Sequence, residues 1–152
     1  MIIDIPKLRP EGEWFEGQES QEILSIHESG FRPCGPVRYR LFAQAVSGQL
    51  IVRGSVRAFF ELQCVRCTEF YSTTIEEMSF LRTYQLSDAS EAVDVTPDLR
   101  EDILLRLPHH PVCSSACKGL CPYCGANLNL GPCSCKPPGD HRWSALDNVK
   151  LG

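Results

Sequence analysis

Val37-Arg38-Tyr39-Arg40-Leu41-Phe42-Ala43-Gln44-Ala45-Val46-Ser47-Gly48 is the run that decides the fold. Val37, Tyr39, Leu41 and Ala43 fall on one side and Arg38, Arg40, Phe42 and Gln44 on the other, the period-two pattern of a strand with one buried face. Ser47-Gly48 is a turn dipeptide. Residues 50–64 continue as a second long β-rich run, in which Gly54 marks a bulge or a close backbone approach. After the step from Cys64 to Cys67, residues 70–84 read as a third strand, with Thr73, Thr74 and Ile75 suited to a pleated surface. Three long antiparallel strands in succession predict a β meander or part of a small barrel.

Upstream the patterns are weaker. Glu11, Glu13, Glu16, Glu19 and Glu22 make the segment acidic. Trp14-Phe15 is expected to anchor it to the core, and residues 22–26 read as a short strand. Gly30, Pro33, Gly35 and Pro36 mark a loop. Downstream, residues 88–94 read as an acidic loop, followed by a helix start. Thr96 suits the N-cap, Pro97 the first helical position, and Asp98, Glu101 and Asp102 complement the helix dipole. Leu99, Ile103, Leu104 and Leu107 form one apolar stripe, which is core before it is anything else. Pro108 ends the helix. From Cys113 onward Cys, Gly and Pro dominate, and so polar a segment needs a metal to hold it. Residues 140–149 are expected to form a short helix with Trp143, Leu146 and Val149 as its apolar face. The fold class that follows is α+β: a β-rich unit over 1–108 with one helix, and a cysteine-rich, zinc-stapled segment over 109–152 packed on it.

The chain has 152 residues, 43% hydrophobic and 22% charged, so it is globular rather than disordered. No apolar run approaches the ~18 residues that span a bilayer. The N-terminal residues have neither the basic flank nor the apolar stretch of a signal peptide. The expected compartment is therefore the cytoplasm, where thiols stay reduced and nine cysteines read as ligands rather than cross-links. The net charge of −4 argues against a bulk polyanion binder, but the charge is unevenly spread. From Arg32 to Arg66 there are six arginines and one acid, Glu61; from Glu69 to Asp102 there are nine acids and two arginines. Such asymmetry either builds a basic face on an acidic protein or leaves solvated strand positions.

Eight cysteines form four pairs: Cys64/Cys67, Cys113/Cys117, Cys121/Cys124 and Cys133/Cys135, with Cys34 apart as a small buried or loop residue. Two-residue spacing lets both thiolates of a turn face one centre, and the glycine after Cys124 permits the positive φ such a knuckle needs. By proximity, Cys121, Cys124, Cys133 and Cys135 close a local zinc loop. Cys64, Cys67, Cys113 and Cys117 then meet across the fold, giving two structural zinc ions. The rival arrangement is a single ribbon site from Cys64, Cys67, Cys121 and Cys124. Iron–sulfur ligation matches the residue types but not the common ferredoxin spacings. A thioredoxin-like redox pair needs a helix N-terminus after a strand, whereas Cys64 and Cys67 lie between two β-rich runs. His109-His110 precedes Cys113 closely enough to replace one ligand, while His27 and His141 have no visible partners. No nucleophile with a base, no framed carboxylate pair and no phosphate loop stands out, and all-cysteine zinc sites are closed, so no enzyme is expected.

The knuckle Cys64-Val65-Arg66-Cys67-Thr68-Glu69-Phe70, the 99–107 helix ending in Pro108, the run Cys117-Lys118-Gly119-Leu120-Cys121-Pro122-Tyr123-Cys124-Gly125-Ala126-Asn127-Leu128-Asn129, the closing Cys133-Ser134-Cys135 and the tail Arg142-Trp143-Ser144-Ala145-Leu146 together resemble the YceD family. The resemblance covers roughly residues 15–150 and is most specific over 117–129. It implies a non-enzymatic, metal-binding factor supporting 23S ribosomal RNA processing or stability, and hence large-subunit assembly. Two functions remain open. In the first, Arg38, Arg40, Arg53, Arg57 and Arg66 present a phosphate-facing surface to ribosomal RNA or an assembly particle, with Phe42 or Tyr39 exposed to stack on bases. In the second, residues 11–22 and 88–102 dock a basic ribosomal protein, with no RNA contact. Neither involves a membrane or a small-molecule substrate; a CxxC redox role is a distant third.

Overall fold

The computed structural model describes residues 1–87 and 91–136; the helix expected over 140–149 lies outside them. In chain order, β1 (Ile2–Asp4) passes through a 3-10 turn into β2 (Glu13–Glu19). A second 3-10 helix, Gln21–Leu24, precedes β3 (Phe31–Pro33). The long strands β4 (Val37–Val46), β5 (Gln49–Gln63) and β6 (Phe70–Gln85) follow. β7 (Ala92–Asp94) and α1 (Thr96–Leu105) complete the regular elements among the described residues.

The three long strands form the expected antiparallel meander. β2 adds to the free edge of β4, and β3 lies beside the far half of β5, where β4 has ended. β1 and β7 make a separate two-stranded ribbon. The sheet is open: β2 and β6 stand at opposite edges, so the barrel alternative does not hold. Ser47 and Gly48 both take positive φ, 49° and 75°, as a two-residue hairpin between twisted strands requires. At Gly54 the β5–β6 register shifts, with φ at 153°. A Cβ there would meet the Arg40 carbonyl oxygen at 2.1 Å, so the glycine is the close approach, while the extra residue of the bulge lies opposite it in β6, between Glu77 and Phe80.

Alternation assigns the two faces. Val37, Leu41 and Ala43 of β4, with Leu50, Val52, Val56, Ala58, Phe60 and Leu62 of β5 and Phe80 of β6, are buried on the inner face. They pack against Ile3, Leu24, Val95, Leu99 and Ile103. Leu104 and Leu107 complete the helical stripe, half-buried. The helix is tied to β6 by Arg82, whose Nε donates to Asp98 at 3.1 Å and whose Nη2 donates to Asp102 at 2.5 Å. The Tyr84 hydroxyl also donates to Asp98.

Several local expectations change. Ala92–Asp94 is a strand rather than part of an acidic loop, and Phe31–Pro33 is a strand where turn residues mark a loop, each paired to a neighbouring strand. Residues 22–26 are not a strand. Ser20 accepts the Glu22 N–H through its side chain, and Ser25 takes a left-handed φ of 47°, which closes a 3-10 turn instead. Trp14 does not anchor the core. Period-two geometry puts Trp14 and Phe15 on opposite faces of β2, so Phe15 packs inward while Trp14 stays 55% exposed. Tyr39 faces inward, half-buried, its ring beside Gly17. Thr96 is the first helical residue rather than the cap; Asp94 accepts its N–H at 2.9 Å.

Candidate metal centre and outward arginine face

β5 and β6 run past the end of β4, and the turn joining them is the first knuckle. The last ladder pair is Gln63 opposite Phe70. Beyond it the Cys64 N–H donates to the Glu69 carbonyl at 2.9 Å, and the Thr68 N–H to the Cys64 carbonyl at 2.8 Å. The second knuckle repeats the pattern: the Cys121 N–H donates to Ala126 at 2.8 Å and the Gly125 N–H to Cys121 at 2.9 Å. Thr68 and Gly125 hold equivalent positions, with φ of 62° and 73°. The sequence gives the glycine away; nothing in it announces that a threonine takes the same conformation.

After α1 the chain returns to the first knuckle. Val65 donates to the Pro111 carbonyl at 2.8 Å, Leu120 donates to the Arg66 carbonyl at 3.0 Å, and Arg66 Nη1 donates to the Cys117 carbonyl at 3.2 Å. These bonds bring Cys113 and Cys117 over Cys64 and Cys67. The structure thus gathers two quartets, Cys64/Cys67/Cys113/Cys117 and Cys121/Cys124/Cys133/Cys135, each with its sulfurs within 4.8 Å of one another. It does not bring together Cys64, Cys67, Cys121 and Cys124 in one group. Cys34 is an exposed loop residue.

In the first quartet Cys64 and Cys117 lie 3.9 Å apart, and Cys67 and Cys113 3.7 Å. These are not disulfide distances, which are about 2.05 Å. Four thiolates about 2.3 Å from one tetrahedral ion would stand about 3.8 Å from each other, and the observed spacing fits that edge. A cluster of several metal ions would hold its thiolates on different ions and spread them farther. Each quartet therefore has the donor set and compactness to hold a single metal ion.

The surrounding dipoles favour charge on particular sulfurs. At Cys64 burial opposes ionisation, but the backbone N–H groups of Cys113, Cys67 and Arg66 outweigh it and bring the thiol down to about 6. At Cys121 the Cys124 and Tyr123 N–H groups act the same way against burial, again to about 6. Cys117 is lowered chiefly by Asn129, whose Nδ2 donates to its sulfur at 3.3 Å. Cys113 is pushed up to about 12 by burial and by the neighbouring thiols. Cys135 rises to about 12 through its bond to Cys124 and burial. Four thiolates so close repel one another, so a quartet ionises only in part by itself; a divalent cation at its centre deprotonates all four. The CxxC pairs sit in turns, not at a helix N-terminus, which removes the structural context of thioredoxin-type chemistry.

Asn129 is the residue that sequence reasoning missed. Its Oδ1 accepts the Lys118 N–H at 2.8 Å while its amide reaches Cys117, so it links the segment carrying the second quartet to a sulfur of the first. The only signal was the Asn-Leu-Asn run that follows the second knuckle.

On the opposite side of the sheet from the core, Arg38, Arg40, Arg53 and Arg57 all point outward and are exposed. Arg32 joins them from β3, beside Glu61. Arg66 is exposed too, but in the knuckle rather than on the sheet. Four guanidinium groups lie over aromatic rings of this face: Arg32 over Phe70 at 3.7 Å, Arg40 over Trp14 at 4.7 Å, Arg53 over Phe42 at 5.2 Å and Arg38 over Phe59 at 5.5 Å. Arg40 also pairs with Glu16 at 2.6 Å, and Arg57 with Glu76.

Known proteins match this chain along most of its length. An uncharacterized protein of Mycobacterium tuberculosis is 31% identical over 171 residues, covering 96% of this chain and 79% of its own length. An uncharacterized protein of Mycobacterium leprae is 31% identical over 128 residues, 75% of this chain and 59% of its own. The Zea mays protein named large ribosomal RNA subunit accumulation protein YCED homolog 1, chloroplastic, is 27% identical over 167 residues, 82% of this chain and 57% of its own. No solved structure matches. The sequence profile described as large ribosomal RNA subunit accumulation protein YceD matches residues 52–150, from near the start of β5 through both knuckles, and the chain belongs to that family.

Proposed function

We propose that this protein is a non-enzymatic factor supporting accumulation of 23S ribosomal RNA and assembly of the large ribosomal subunit, acting in the cytoplasm on ribosomal RNA or an assembly particle. Two zinc ions hold its C-terminal segment, one in each cysteine quartet. Zinc fits a donor set of four thiolates at tetrahedral spacing, and a shell closed by four cysteines leaves no position for a substrate. The ions are structural in this reading, fixing residues 113–135 to the end of the β5–β6 hairpin.

The observation that carries RNA contact is the outward sheet face. On a chain of net charge −4, it gathers five arginines (Arg32, Arg38, Arg40, Arg53, Arg57) against three glutamates (Glu16, Glu61, Glu76). Arg66 extends the positive charge to the knuckle. A cationic face of this kind meets a phosphate backbone and makes binding salt-dependent. The test is binding to 23S ribosomal RNA fragments across a salt series, with the triple change Arg38→Glu, Arg40→Glu and Arg57→Glu. Affinity should fall by more than about tenfold and the salt slope should flatten by about two, at roughly 0.7 per lost phosphate contact. Unchanged binding, with zinc content and melting temperature intact, would rule the face out.

The second reading, an adaptor for a basic protein, is favoured by the acidic isoelectric point of about 5.5. Its acidic segments are partly spent inside the fold, since Asp98 and Asp102 hold Arg82 and Glu16 holds Arg40. A large-subunit protein retained by the chain after nuclease treatment, through residues 11–22 or 88–102, would decide for the adaptor.

A further inference from the structure

The outward face carries more than charge. A surface that only neutralised phosphates would need arginines on a polar ground, yet here four of the five sheet arginines are seated on rings. Trp14 is 55% exposed, and it meets Phe42 edge-on at 5.5 Å between centroids. Leu81 and Met78 of β6 add apolar surface, 57% and 67% exposed. One large exposed ring, three half-buried rings (Phe42, Phe59, Phe70) and two exposed aliphatic side chains on a single face mark a surface that something covers. Among the described residues, Arg32, Arg38 and Arg53 have no carboxylate in salt-bridge range, so three of the ring-bound guanidinium groups keep their charge for a ligand.

We propose that this face is a platform for unpaired RNA, on which bases stack against the ring–guanidinium layer while the arginine N–H groups meet the phosphates. The proposal rests on the RNA contact argued above and names the form of RNA that makes it. The chemistry selects single strands over duplexes. In a duplex the base faces are already stacked on each other, so the rings gain nothing beyond phosphate contact. An unpaired base offers a free π-face, and both an aromatic ring and an arginine plane accept it. An open sheet presents these groups at strand spacing without a groove, so neighbouring bases can lie on Trp14 and Phe42 of adjacent strands β2 and β4, directly opposite each other in register. An acidic protein ligand would satisfy the arginines but would leave Trp14 without a planar partner.

The experiment compares a labelled oligouridine with an RNA hairpin carrying the same number of phosphates, by anisotropy, on the zinc-loaded chain of 152 residues. Oligouridine should bind at least about tenfold more tightly. The double change Trp14→Ala with Phe42→Ala should weaken oligouridine binding by about tenfold or more and leave hairpin binding and the salt slope unchanged. Trp14→Phe should keep wild-type affinity. Arg38→Gln with Arg53→Gln should weaken both RNAs and flatten the oligouridine slope by about 1.4. Should the double alanine variant misfold, oligouridine quenching of tryptophan fluorescence, lost in Trp14→Phe, reports the same contact. Equal affinity for strand and hairpin, with no effect of the alanine changes but a loss in the arginine variant, would overturn the platform and leave RNA contact standing. Binding of neither RNA, or binding indifferent to the arginines, would overturn both.

Discussion

Asn129 shows how much one side chain can settle. Its amide donates to the Cys117 sulfur, and its oxygen accepts the Lys118 N–H. A donor aimed at a thiolate stabilises the charged form that binds metal, and such outer partners typically contribute tenfold to a hundredfold in metal affinity. Asn129→Ala should therefore weaken the proposed zinc binding at the first quartet by about tenfold or more. Asn129→Asp should weaken it further, because a carboxylate would face the thiolate it now has to neighbour. Chelator competition followed by zinc release, with the second quartet as internal control, measures both; equal zinc retention in the two variants and the wild type would deny Asn129 this role. The cysteines themselves were legible from spacing alone, since pairing by proximity anticipates both quartets. The groups that tune them were not. Thr68 has no glycine to betray its φ of 62°, and a β-branched residue is an unfavourable choice for that conformation. Its hydroxyl donates to the Cys67 carbonyl at 2.7 Å, a local bond that helps hold the turn.

At the scale of elements, Gly54 fixes how β4 and β5 lie together. A Cβ would come within 2.1 Å of the Arg40 carbonyl oxygen and 2.9 Å of the Leu41 Cα, and backbone atoms of a central strand cannot yield as a side-chain tip can. The residue also holds a φ of 153° that side chains rarely adopt. Gly54→Val should cost about 3 kcal/mol or more, well above the ordinary effect of one substitution. Denaturant unfolding of the zinc-loaded protein would show it as a lower midpoint, and an unchanged midpoint would mean that the strands are not this close. Alternation from Val37 to Val46 made the central strands readable, because one buried face enforces period two over ten residues. The flanking pieces lacked that length. Ile23, Leu24 and Ile26 are too few to separate a strand from a 3-10 turn, and the choice fell to Ser20 and Ser25. Barrel closure was unreadable for a different reason: it depends on whether β2 and β6 meet, which no local pattern records. Assigning Trp14 to the core ignored the same alternation that worked in β4, since adjacent residues of a strand cannot share a face.

Across the whole molecule the two quartets differ in shelter. Cys64, Cys67 and Cys117 of the first are buried beneath the end of the sheet, with Tyr71 and Val112 packed against them. In the second, Cys121 is buried, but Cys124 is exposed and Cys133 and Cys135 are half-exposed. The first quartet joins residues distant in sequence, Cys64 to Cys117, and so shares the stability of the fold. The second closes a short loop, Cys121 to Cys135, that can open without disturbing the core. Oxidants and chelators reach thiolates in proportion to exposure. With the two proposed zinc ions in place, their loss should therefore occur in two phases, the second quartet emptying first while the sheet and helix remain intact. Limiting peroxide or a zinc chelator, followed by metal counting under native conditions and circular dichroism, checks this. One ion per chain should leave with little change in the far-ultraviolet signal, and the thiols then labelled should be Cys121, Cys124, Cys133 and Cys135. Loss of the second ion should coincide with loosening of residues 109–136 from the β5–β6 turn, seen as faster proteolysis there. Simultaneous loss of both ions would mean that the Asn129 link couples the quartets more tightly than their difference in burial separates them.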